Sequence, residues 1–472
     1  MKLADLPLPP EIWAATPSAA QALILALQER IRELEARLGQ TSANSSRPPS
    51  SDPPQTPARP TAPPSGRQRG GQPGHRGVCR ALLPIEQVDE VEEVVPEVCR
   101  HCGQPFPEHA GRRAQAWRHQ VVELLPLAVR VTEYQMVVRR CLACGKRTRA
   151  DLPTGVPRRP FGARLTAVIA LLSGRYRLSR REVRQLLQDL WQVRVSLGAV
   201  VRQEQAQSAA LAPVVEEARA AVQQADVVNL DETGWRQERK RAWLWTAVAA
   251  GLTVFHIDSS RGGTAVEAVL GAEFGGVVGS DRWSAYNRFP AERRALCYAH
   301  LKRDFQALVD RGGEAESIGR WGLAEIERLF ALWHRFRAGE FGRRDLQRRL
   351  IPLQARLGRL LRRGQETPAR KAAGLCRELT KWWPALWTFA RVDGVEPTNN
   401  VAERALRPAV LWRKGSFGTD SEAGTRFAEQ MLTVVATCRQ QGRRLLDFLV
   451  AAGEAALQGT AAPSLLPAPQ GG

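Results

Sequence analysis

Apolar residues recur with a helical period near the N-terminus and again between residues 158 and 205. Residues 18–39 predict one helix, because apolar side chains return every three or four positions along it. These positions are Ile24, Leu27, Ile31, Leu34 and Leu38. The 3-4-3-4 spacing is typical of a short coiled coil and favours self-association, although an amphipathic helix packed on its own protein shows the same spacing.

From residue 226 onward the apolar residues form short runs with the length and composition of strands. In order, the runs are VVNLDE, RAWLWTAVAA, LTVFHIDSS, GGVVGSD and RALCYAH, with a helical pattern at TAVEAVLGA before the fourth run. This order predicts an α/β sheet with an antiparallel meander at one side. Residues 301–390 are rich in Arg and Leu and predict helices alone, and residues 393–440 predict a loop followed by helices.

Two segments contain too few apolar side chains to bury a core. Residues 41–77 are rich in Pro, Ser and Gly and predict a disordered linker. The C-terminal stretch TAAPSLLPAPQGG predicts a disordered tail for the same reason.

Charge narrows the choice of partner. Lys and Arg total 68 against 48 Asp and Glu, a net charge of +20, which favours nucleic acid first and an anionic membrane surface second. No apolar run approaches the ~20 residues of a membrane span, and the N-terminus lacks the apolar core of a secretory signal. We therefore expect a cytosolic protein, in which eight cysteines indicate metal binding rather than a disulfide scaffold.

Two Cys-x-x-Cys-Gly segments predict a structural zinc site. They are CRHCG, with Cys99 and Cys102, and CLACG, with Cys141 and Cys144. The glycine after each pair lets backbone N–H groups turn toward the sulfurs, and four thiolates suit tetrahedral Zn²⁺ at about 2.3 Å. Histidines inside and between the pairs are alternative ligands, but we favour the four cysteines. We expect a β-hairpin between the pairs, within residues 121–140.

The basic helical block predicts a DNA-binding unit. Ser179 and Glu182 form a capping-box pattern before REVRQLLQDLW, and Ser196 opens a second helix, LGAVVRQEQ. With the apolar segment LTAVIALLSG, these helices predict a helix-turn-helix, and plain helical packing is the alternative. Ten arginines against two acids between residues 158 and 202 favour contact with phosphates. The arginines that we expect to bind DNA are Arg180, Arg181, Arg184 and Arg202.

Two predicted strands end in aspartate, at Asp231 and Asp281. If the strands are adjacent and parallel, the carboxylates lie close together, which is unfavourable unless a cation lies between them. Oxygen ligands suit Mg²⁺ or Mn²⁺. Glu403 is the candidate third acid, on a helix that Asn399 or Asn400 caps. Any one acid alone is better explained as a turn or cap residue, but three carboxylates around two metal ions would catalyse phosphoryl transfer.

A series of short motifs runs in order through nearly the whole chain. The motifs are NSSRPPSSD, GGQPGHRG, CRHCG, CLACG, LDETGW, SDRWSAY, CYAHLKRDF and TNNVAERALRP. Together they resemble the large transposase of the insertion sequence 66 family, one of the DDE transposases with an RNase H-like core. The resemblance implies that Asp231, Asp281 and Glu403 are the catalytic triad. It also implies a helical insertion between the second Asp and the Glu.

Further residues near the triad are candidates for DNA contact. Cys297 and His300 match a Cys-x-x-His signature found near the second Asp in several such families. His300 would contact DNA or support the metal site, and a buried structural role is the alternative. Arg404 and Arg407 follow Glu403 on the same helix and are placed to contact phosphates.

The predicted fold class is multidomain α/β. The predicted segments are an N-terminal helix or short coiled coil (1–40), a disordered Pro/Ser/Arg-rich linker (41–87), a zinc-binding module (88–152), a helical helix-turn-helix-like DNA-binding domain (158–225), the first part of an RNase H-like core (226–305), a helical insertion (306–392), the second part of the core with the catalytic Glu (393–440), and a C-terminal element with a disordered tail (441–472).

The function predicted from these features is metal-dependent cleavage at the ends of a mobile element, followed by strand transfer into target DNA. The expected cofactors are two Mg²⁺ or Mn²⁺ ions and one structural Zn²⁺. We expect a homodimer or larger assembly, located on the bacterial nucleoid, with small accessory proteins of the same element as further candidate partners. The alternatives are another RNase H-like nuclease or resolvase, and a non-catalytic zinc-dependent DNA-binding regulator.

Overall fold

The computed structural model describes residues 10–38, 41, 81–106, 118–124 and 128–467. These residues fall into two compact units, one drawn from residues 57–130 and the other from the rest of the chain. Most of the predicted linker lies outside the described residues, as do the motif GGQPGHRG and Cys79. No described helix is both long enough and apolar enough to cross a membrane.

The N-terminal helix is confirmed. A short helix α1 (Pro10–Ala15) precedes α2 (Ser18–Leu38). The apolar side chains of α2 face solvent: Leu27 and Ile31 are each 54% exposed and Leu38 is 81% exposed. The coiled coil itself stays a prediction.

The unit drawn from residues 57–130 is mostly extended chain where it is described. It contains one 3₁₀ turn (Ile85–Gln87) and an isolated bridge between Val98 and Pro105. The side chains of Arg118 and Gln120 bond the backbone of Leu83 and hold its two ends together.

The predicted hairpin between the cysteine pairs is wrong in position. Residues 121–124 and 128–137 form no strand. Instead β1 (Val138–Arg140) and β2 (Arg147–Arg149) pair antiparallel on either side of the second cysteine pair. The tight turn that this pair makes brings the flanking residues into register.

The helical block contains α3 (Ala163–Ala170), a π turn (Leu171–Arg175), α4 (Arg180–Trp191) and α5 (Leu197–Gln223). Both predicted caps are confirmed: Ser179 and Glu182 form a complete capping box, and the Ser196 hydroxyl accepts from Ala199 N at 3.1 Å. The three helices share a small core of their own, made of Ile169, Val183, Leu187, Val195 and Val200.

One detail of this block differs from the sequence prediction. Helix α5 is 27 residues long, far beyond the predicted segment, because its second half carries another apolar face. Leu211, Val215 and Val222 on that face pack into the main core.

A five-stranded sheet forms the centre of the larger unit. Its strands are β3 (Val227–Gln237), β4 (Lys240–Ala249), β5 (Leu252–Asp258), β6 (Val277–Ser280) and β7 (Arg294–Leu296), and α6 (Gly263–Leu270) lies between β5 and β6 in the chain. The spatial order is β5-β4-β3-β6-β7. The first three strands are antiparallel and β6 and β7 run parallel to β3, which confirms the predicted meander at one side.

Helices alone follow the last strand, as predicted. They are α7 (Tyr298–Arg311), α8 (Gly313–Arg337), α9 (Arg343–Glu366), α10 (Arg370–Lys381), α11 (Trp383–Leu386) and α12 (Thr388–Arg391). Together they occupy the segment that was predicted as a helical insertion, and this name is kept for them below. It has its own core of Leu, Trp and Phe side chains, which joins the sheet through Ala295 and Leu296 of β7.

Three further helices complete the unit: α13 (Asn400–Ser416), α14 (Glu422–Gln440) and α15 (Leu445–Gln458). One side of the sheet packs with α5, α6 and α15. The other side packs on α13, where Leu406 and Ala409 contact Trp235 and Leu244 of the sheet.

Helix α14 covers the edge of the sheet at β5. The outward N–H groups of Thr253, Phe255 and Ile257 recur every second residue along β5. They donate to Thr437 Oγ1, Thr433 Oγ1 and Glu429 Oε1, which recur every fourth residue along α14. The two periods match, so side chains of one helix satisfy an edge that would otherwise be open to another strand.

The predicted disordered tail is wrong for its described part, residues 460–467. The side chain of Leu465 is fully buried in the main core. Glu217 on α5 accepts hydrogen bonds from the Ser464 hydroxyl and from Leu465 N. One buried leucine and a carboxylate that accepts from the backbone therefore hold a segment whose composition resembles a linker.

Replacing Thr433 or Thr437 by valine should lower the free energy of unfolding by about 1–3 kcal/mol, because each change leaves a buried N–H of β5 without its acceptor. Thr264→Val is the matched control, since Thr264 is exposed and its hydroxyl bonds Ser260 Oγ at 3.3 Å. Chemical denaturation measures the difference, and equal effects at all three threonines would contradict the role of α14 at the sheet edge.

Candidate active site

The site lies where β3 extends beyond the end of its parallel neighbour, β6. The pairing of β3 with β6 stops at Asn229 and Gly279, whereas β3 stays paired with β4 as far as Gln237. The sequence predicted that Asp231 ends a strand. This prediction is wrong, because pairing with the antiparallel strand β4 continues β3 beyond Asp231. Asp281 does follow the last residue of β6, as predicted.

The adjacent acids Asp231 and Glu232 belong to opposite faces of β3, because strand side chains alternate. Glu232 has protein partners: Arg261 Nη2 lies 2.8 Å from its Oε1, and Tyr286 OH donates to its Oε2. On the other face, Asn229 and Thr233 flank Asp231. Both bond the region of α13, through Asn399 and Arg413. Asp231 is thus the acid that faces α13.

Three carboxylates are close enough to influence one another. Burial raises the pKa of Asp231 well above its usual value, and the charges of Glu232, Asp281 and Glu403 raise it further. Burial also raises the pKa of Glu403, with a contribution from Asp281. Carboxylates in this arrangement repel one another unless a cation joins them.

Asn399 fixes the start of the helix that carries Glu403. Its Nδ2 donates to Leu230 O at 2.6 Å, and its Oδ1 accepts from Asn229 Nδ2 at 2.9 Å. Its backbone N donates to Cys297 Sγ at 3.1 Å. The predicted capping role is wrong for Asn399: it occupies the N-cap position, but its side chain bonds the sheet and no side chain caps the helix.

The backbone of Asp281 is held from behind by a buried arginine. Arg294 Nη2 donates to Asp281 O at 2.9 Å, and the guanidinium lies 4.4 Å from the centre of the Trp382 ring. Arg294 is fully buried, and this burial lowers its pKa to about 10. Arg294 was not among the residues predicted from the sequence. Its one signal is a lone charge at the start of the otherwise apolar strand β7.

His300 faces Glu403. Its Nδ1 lies 3.5 Å from Glu403 Oε1, and both atoms are buried without a hydrogen-bond partner among the described residues. Burial first, and then the charge of Arg303, lowers the pKa of His300 to about 4, so the ring is neutral at pH 7. Cys297 is buried beside them, and burial raises the pKa of its thiol to about 11.

The donor atoms at this place fit a metal ion. Among the described residues, one set of three candidate ligand atoms lies within 4.8 Å of one another, from Cys297, His300 and Glu403. Asp231 and Asp281 lie near this set, since the charge of Glu403 raises the pKa of Asp231 and the charge of Asp281 raises the pKa of Glu403. Buried oxygen and nitrogen atoms without a partner are the condition that a bound cation relieves.

A family model described as "Transposase IS66 family" matches residues 158–427, more than half of the chain. The chain belongs to the IS66 transposase family. The matched range includes Asp231, Asp281 and Glu403. A second model, described as a family of unknown function (DUF6444), matches residues 8–81 of the chain.

Two relatives come from Sinorhizobium fredii (strain NBRC 101917 / NGR234), and both are named as uncharacterized proteins. Protein y4qI is 26% identical over 232 residues, which cover 44% of this chain and 42% of y4qI. Protein y4hP is 26% identical over 398 residues, which cover 74% of this chain and 69% of y4hP. The chain therefore spans less than half the length of y4qI.

The arginines predicted to bind DNA differ in their surroundings. Arg181 and Arg184 on α4 and Arg202 on α5 are exposed, as are Arg404 and Arg407 on α13. Arg180 is different, because its Nε donates to the buried carboxylate of Glu204 at 2.9 Å. Arg180 therefore links α4 to α5 through an ion pair, and Glu204 neutralises part of its charge.

Each cysteine pair of the transposase forms the same tight turn. In the first, Gly103 N donates to Cys99 O at 2.8 Å and Gly103 has φ 73°. In the second, Gly145 N donates to Cys141 O at 2.9 Å and Gly145 has φ 68°. Only glycine adopts this φ without strain, which explains its place after each pair.

These turns also prepare the sulfurs for a cation. Backbone N–H groups, first that of His101, lower the pKa of the Cys99 thiol. The backbone N–H of Cys144 does the same for the pKa of Cys141. The described cysteines form no disulfide. A zinc ion held by both pairs stays a prediction from the sequence.

Asn399→Ala should destabilise the transposase by at least about 1–3 kcal/mol, because it strands the buried Leu230 carbonyl and the Asn229 amide. Asn400→Ala is the matched control at the next position, where the described structure gives the side chain no hydrogen bond. Denaturant unfolding of the two variants measures the effect. A loss no larger for Asn399→Ala than for Asn400→Ala would contradict the role of Asn399 in joining β3 to α13.

Proposed function

We propose that this transposase cleaves and joins DNA at the ends of a mobile element, using divalent metal ions held by Asp231, Asp281 and Glu403. The observation that carries the proposal is the approach of three acids from three separate elements. Asp231 comes from β3, Asp281 follows β6 and Glu403 lies in the first turn of α13. Residues so far apart in the chain have no structural need to meet as a group of carboxylates.

Mg²⁺ or Mn²⁺ bound at such a site lowers the pKa of an attacking water or hydroxyl and neutralises charge on the phosphate. The residues of the chain bind the ions and the DNA and orient them for the reaction. Asp231 and Asp281 would hold both ions between them, and Glu403 would complete the set of ligands. Arg404 and Arg407, exposed on α13 beside Glu403, would hold the DNA backbone.

The reaction would run in two transfers at one site. Water first attacks a phosphodiester at the element end and frees a 3′-hydroxyl. That hydroxyl then attacks a phosphodiester of the target DNA and displaces one of its 3′ oxygens. Both steps exchange one P–O bond for another, so no redox partner is required.

We propose that the sheet with its flanking helices is an RNase H-like core, divided by the insertion. Its support is the sheet itself, in which an antiparallel meander is extended by two parallel strands. The insertion would begin after β7 and end before α13. It keeps a separate hydrophobic core, as expected of an added domain.

DNA binding is proposed for the helix-turn-helix-like block. Arg181, Arg184 and Arg202 are exposed charges on helices that share one small core, so their positions are fixed relative to one another. Contacts of this kind bind phosphates and weaken with salt. A transposase bound to DNA in this way would be found on the nucleoid.

Assembly is proposed to use α2. Two element ends have to be held together, and the exposed apolar positions of α2 recur at coiled-coil spacing. A homodimer through α2 would meet that need, and small proteins encoded by the same element are further candidate partners.

Two alternative functions make different predictions. A resolvase-type nuclease would cut DNA without joining the freed end to a target. A non-catalytic DNA-binding regulator would need none of the three acids. An assay that follows both cleavage and strand transfer separates these functions from transposition.

Asp231→Asn, Asp281→Asn and Glu403→Gln should each reduce cleavage of the element ends by at least about a thousandfold, since each removes a charge that binds metal. DNA binding should persist in all three variants. The substrate is the DNA that brackets the gene, and gel assays of cleavage, strand transfer and binding provide the measurements.

Glu232→Gln is the matched control, because Glu232 is the neighbouring acid on the opposite face of β3 and bonds Arg261 and Tyr286. We expect this variant to keep its cleavage activity. Full cleavage by any of the three triad variants would refute the assignment of the triad.

Zinc binding by the two cysteine pairs has its own test. The prediction is one Zn²⁺ per chain held by Cys99, Cys102, Cys141 and Cys144, measured by elemental analysis of the purified transposase. Changing either pair to serine should remove this zinc, whereas Cys438→Ser, at a buried cysteine of the main core, should leave it. A zinc content per chain that is unchanged after both pairs are replaced would contradict the site.

A further inference from the structure

We propose that Cys297, His300 and Glu403 bind a transition-metal ion, Zn²⁺ above others, at a second site that shares Glu403 with the catalytic acids. The candidate ligand atoms lie within 4.8 Å of one another. Two of the buried atoms, His300 Nδ1 and Glu403 Oε1, have no hydrogen-bond partner in the described structure. An imidazole and a carboxylate left unsatisfied side by side indicate a missing ligand.

The fold brings these residues together through two helix starts. Cys297 is the N-cap of α7 and His300 lies in its first turn, so a spacing of three places thiol and imidazole on one face. Glu403 lies in the first turn of α13. The two starts are joined by hydrogen bonds from Tyr298 N to Pro397 O and from Asn399 N to Cys297 Sγ.

The spacing suits a small tetrahedral ion. Bonds of about 2.0–2.3 Å to Zn²⁺ place its ligands roughly 3.3–3.8 Å apart. His300 Nδ1 and Glu403 Oε1 are already 3.5 Å apart. The sulfur needs to approach by at most about an ångström, within the reach of a side-chain rotation, and the fourth position stays open to water.

The chemistry of the donors separates this site from the catalytic one. Sulfur and imidazole nitrogen favour Zn²⁺ over Mg²⁺, which takes oxygen ligands in octahedral geometry. On binding, the Cys297 thiol gives its proton to solvent, and the N–H of Asn399 donates to the resulting thiolate. The positive charge of Arg303 opposes the binding of a cation here. Its Nη2 lies 3.9 Å from Glu403 Oε1 and would have to move aside.

The consequence for the reaction rests on the proposed function. An ion bound by Cys297 and His300 takes up Glu403 Oε1 and draws this carboxylate away from Asp231 and Asp281. Zn²⁺ at low concentration should therefore inhibit cleavage that is supported by Mg²⁺.

Co²⁺ is the probe for binding, because a Co²⁺–thiolate bond gives a near-ultraviolet charge-transfer absorption. Full-length transposase is titrated with Co²⁺ in the absence of DNA, and each variant is compared with the wild type. Cys297→Ser should remove part of this absorption, and His300→Gln should weaken binding at the same site by at least about tenfold, since even outer-sphere partners of a metal contribute that much.

Cys376→Ser is the matched control, since Cys376 is also fully buried but lies in the core of the insertion. It should leave the absorption unchanged. The Cys99/Cys102 pair and the Cys141/Cys144 pair contribute equally to all of these spectra, so the difference between variants isolates the proposed site.

Unchanged Co²⁺ spectra and affinities in both Cys297→Ser and His300→Gln would overturn the proposal. If the serine variant loses its fold by circular dichroism, the glutamine variant decides. Inhibition is then measured as the fold loss of each variant's own Mg²⁺-supported cleavage on adding Zn²⁺, and it should be smaller in His300→Gln than in the wild type. Failure to cleave DNA at all would refute the proposed function and leave the Co²⁺ result standing.

Discussion

The position of Glu403 relative to Asp231 depends on one buried amide, the side chain of Asn399. It bonds the backbone of β3 at Leu230 and the side chain of Asn229, while its own backbone bonds Cys297 at the start of α7. The helix that carries the third acid therefore begins at a fixed height above the sheet. Because an unpaired amide or carbonyl here would be buried, the arrangement has few alternatives of similar energy. The geometry of the carboxylates follows from this constraint.

The sheet supplies the other half of the site by ending unevenly. Strand β6 stops while β3 continues, and the gap that this leaves is where Asp231 and Asp281 lie. The insertion reaches the same place, because Trp382 covers Arg294 and Arg294 holds the backbone of Asp281. Membership of the IS66 transposase family agrees with such a site. A change in the packing of the insertion would therefore first displace the backbone of Asp281.

Much of this arrangement could be predicted from the sequence, and the exceptions have physical causes. Local periodicity and cap residues predicted the order of strands and helices along the chain, the antiparallel meander and the caps at Ser179 and Ser196. The prediction of a hairpin between the cysteine pairs was wrong in position, because apolar residues alone do not determine which segment a strand pairs with. The prediction of a disordered tail was wrong for residues 460–467, because composition does not reveal that Leu465 packs into a core formed by residues far away in the chain. Arg294 and the true partners of Asn399 were missed because their bonds join residues far apart in the chain.

The central claim is that three acids converge to hold divalent ions against DNA. The most direct measurement is a crystal structure of the protein bound to an element end with Mn²⁺, in which anomalous scattering locates the metal. The account predicts two Mn²⁺ ions about 3.5–4 Å apart, held by Asp231, Asp281 and Glu403. Manganese bound elsewhere, or Glu403 turned away from both ions, would contradict it.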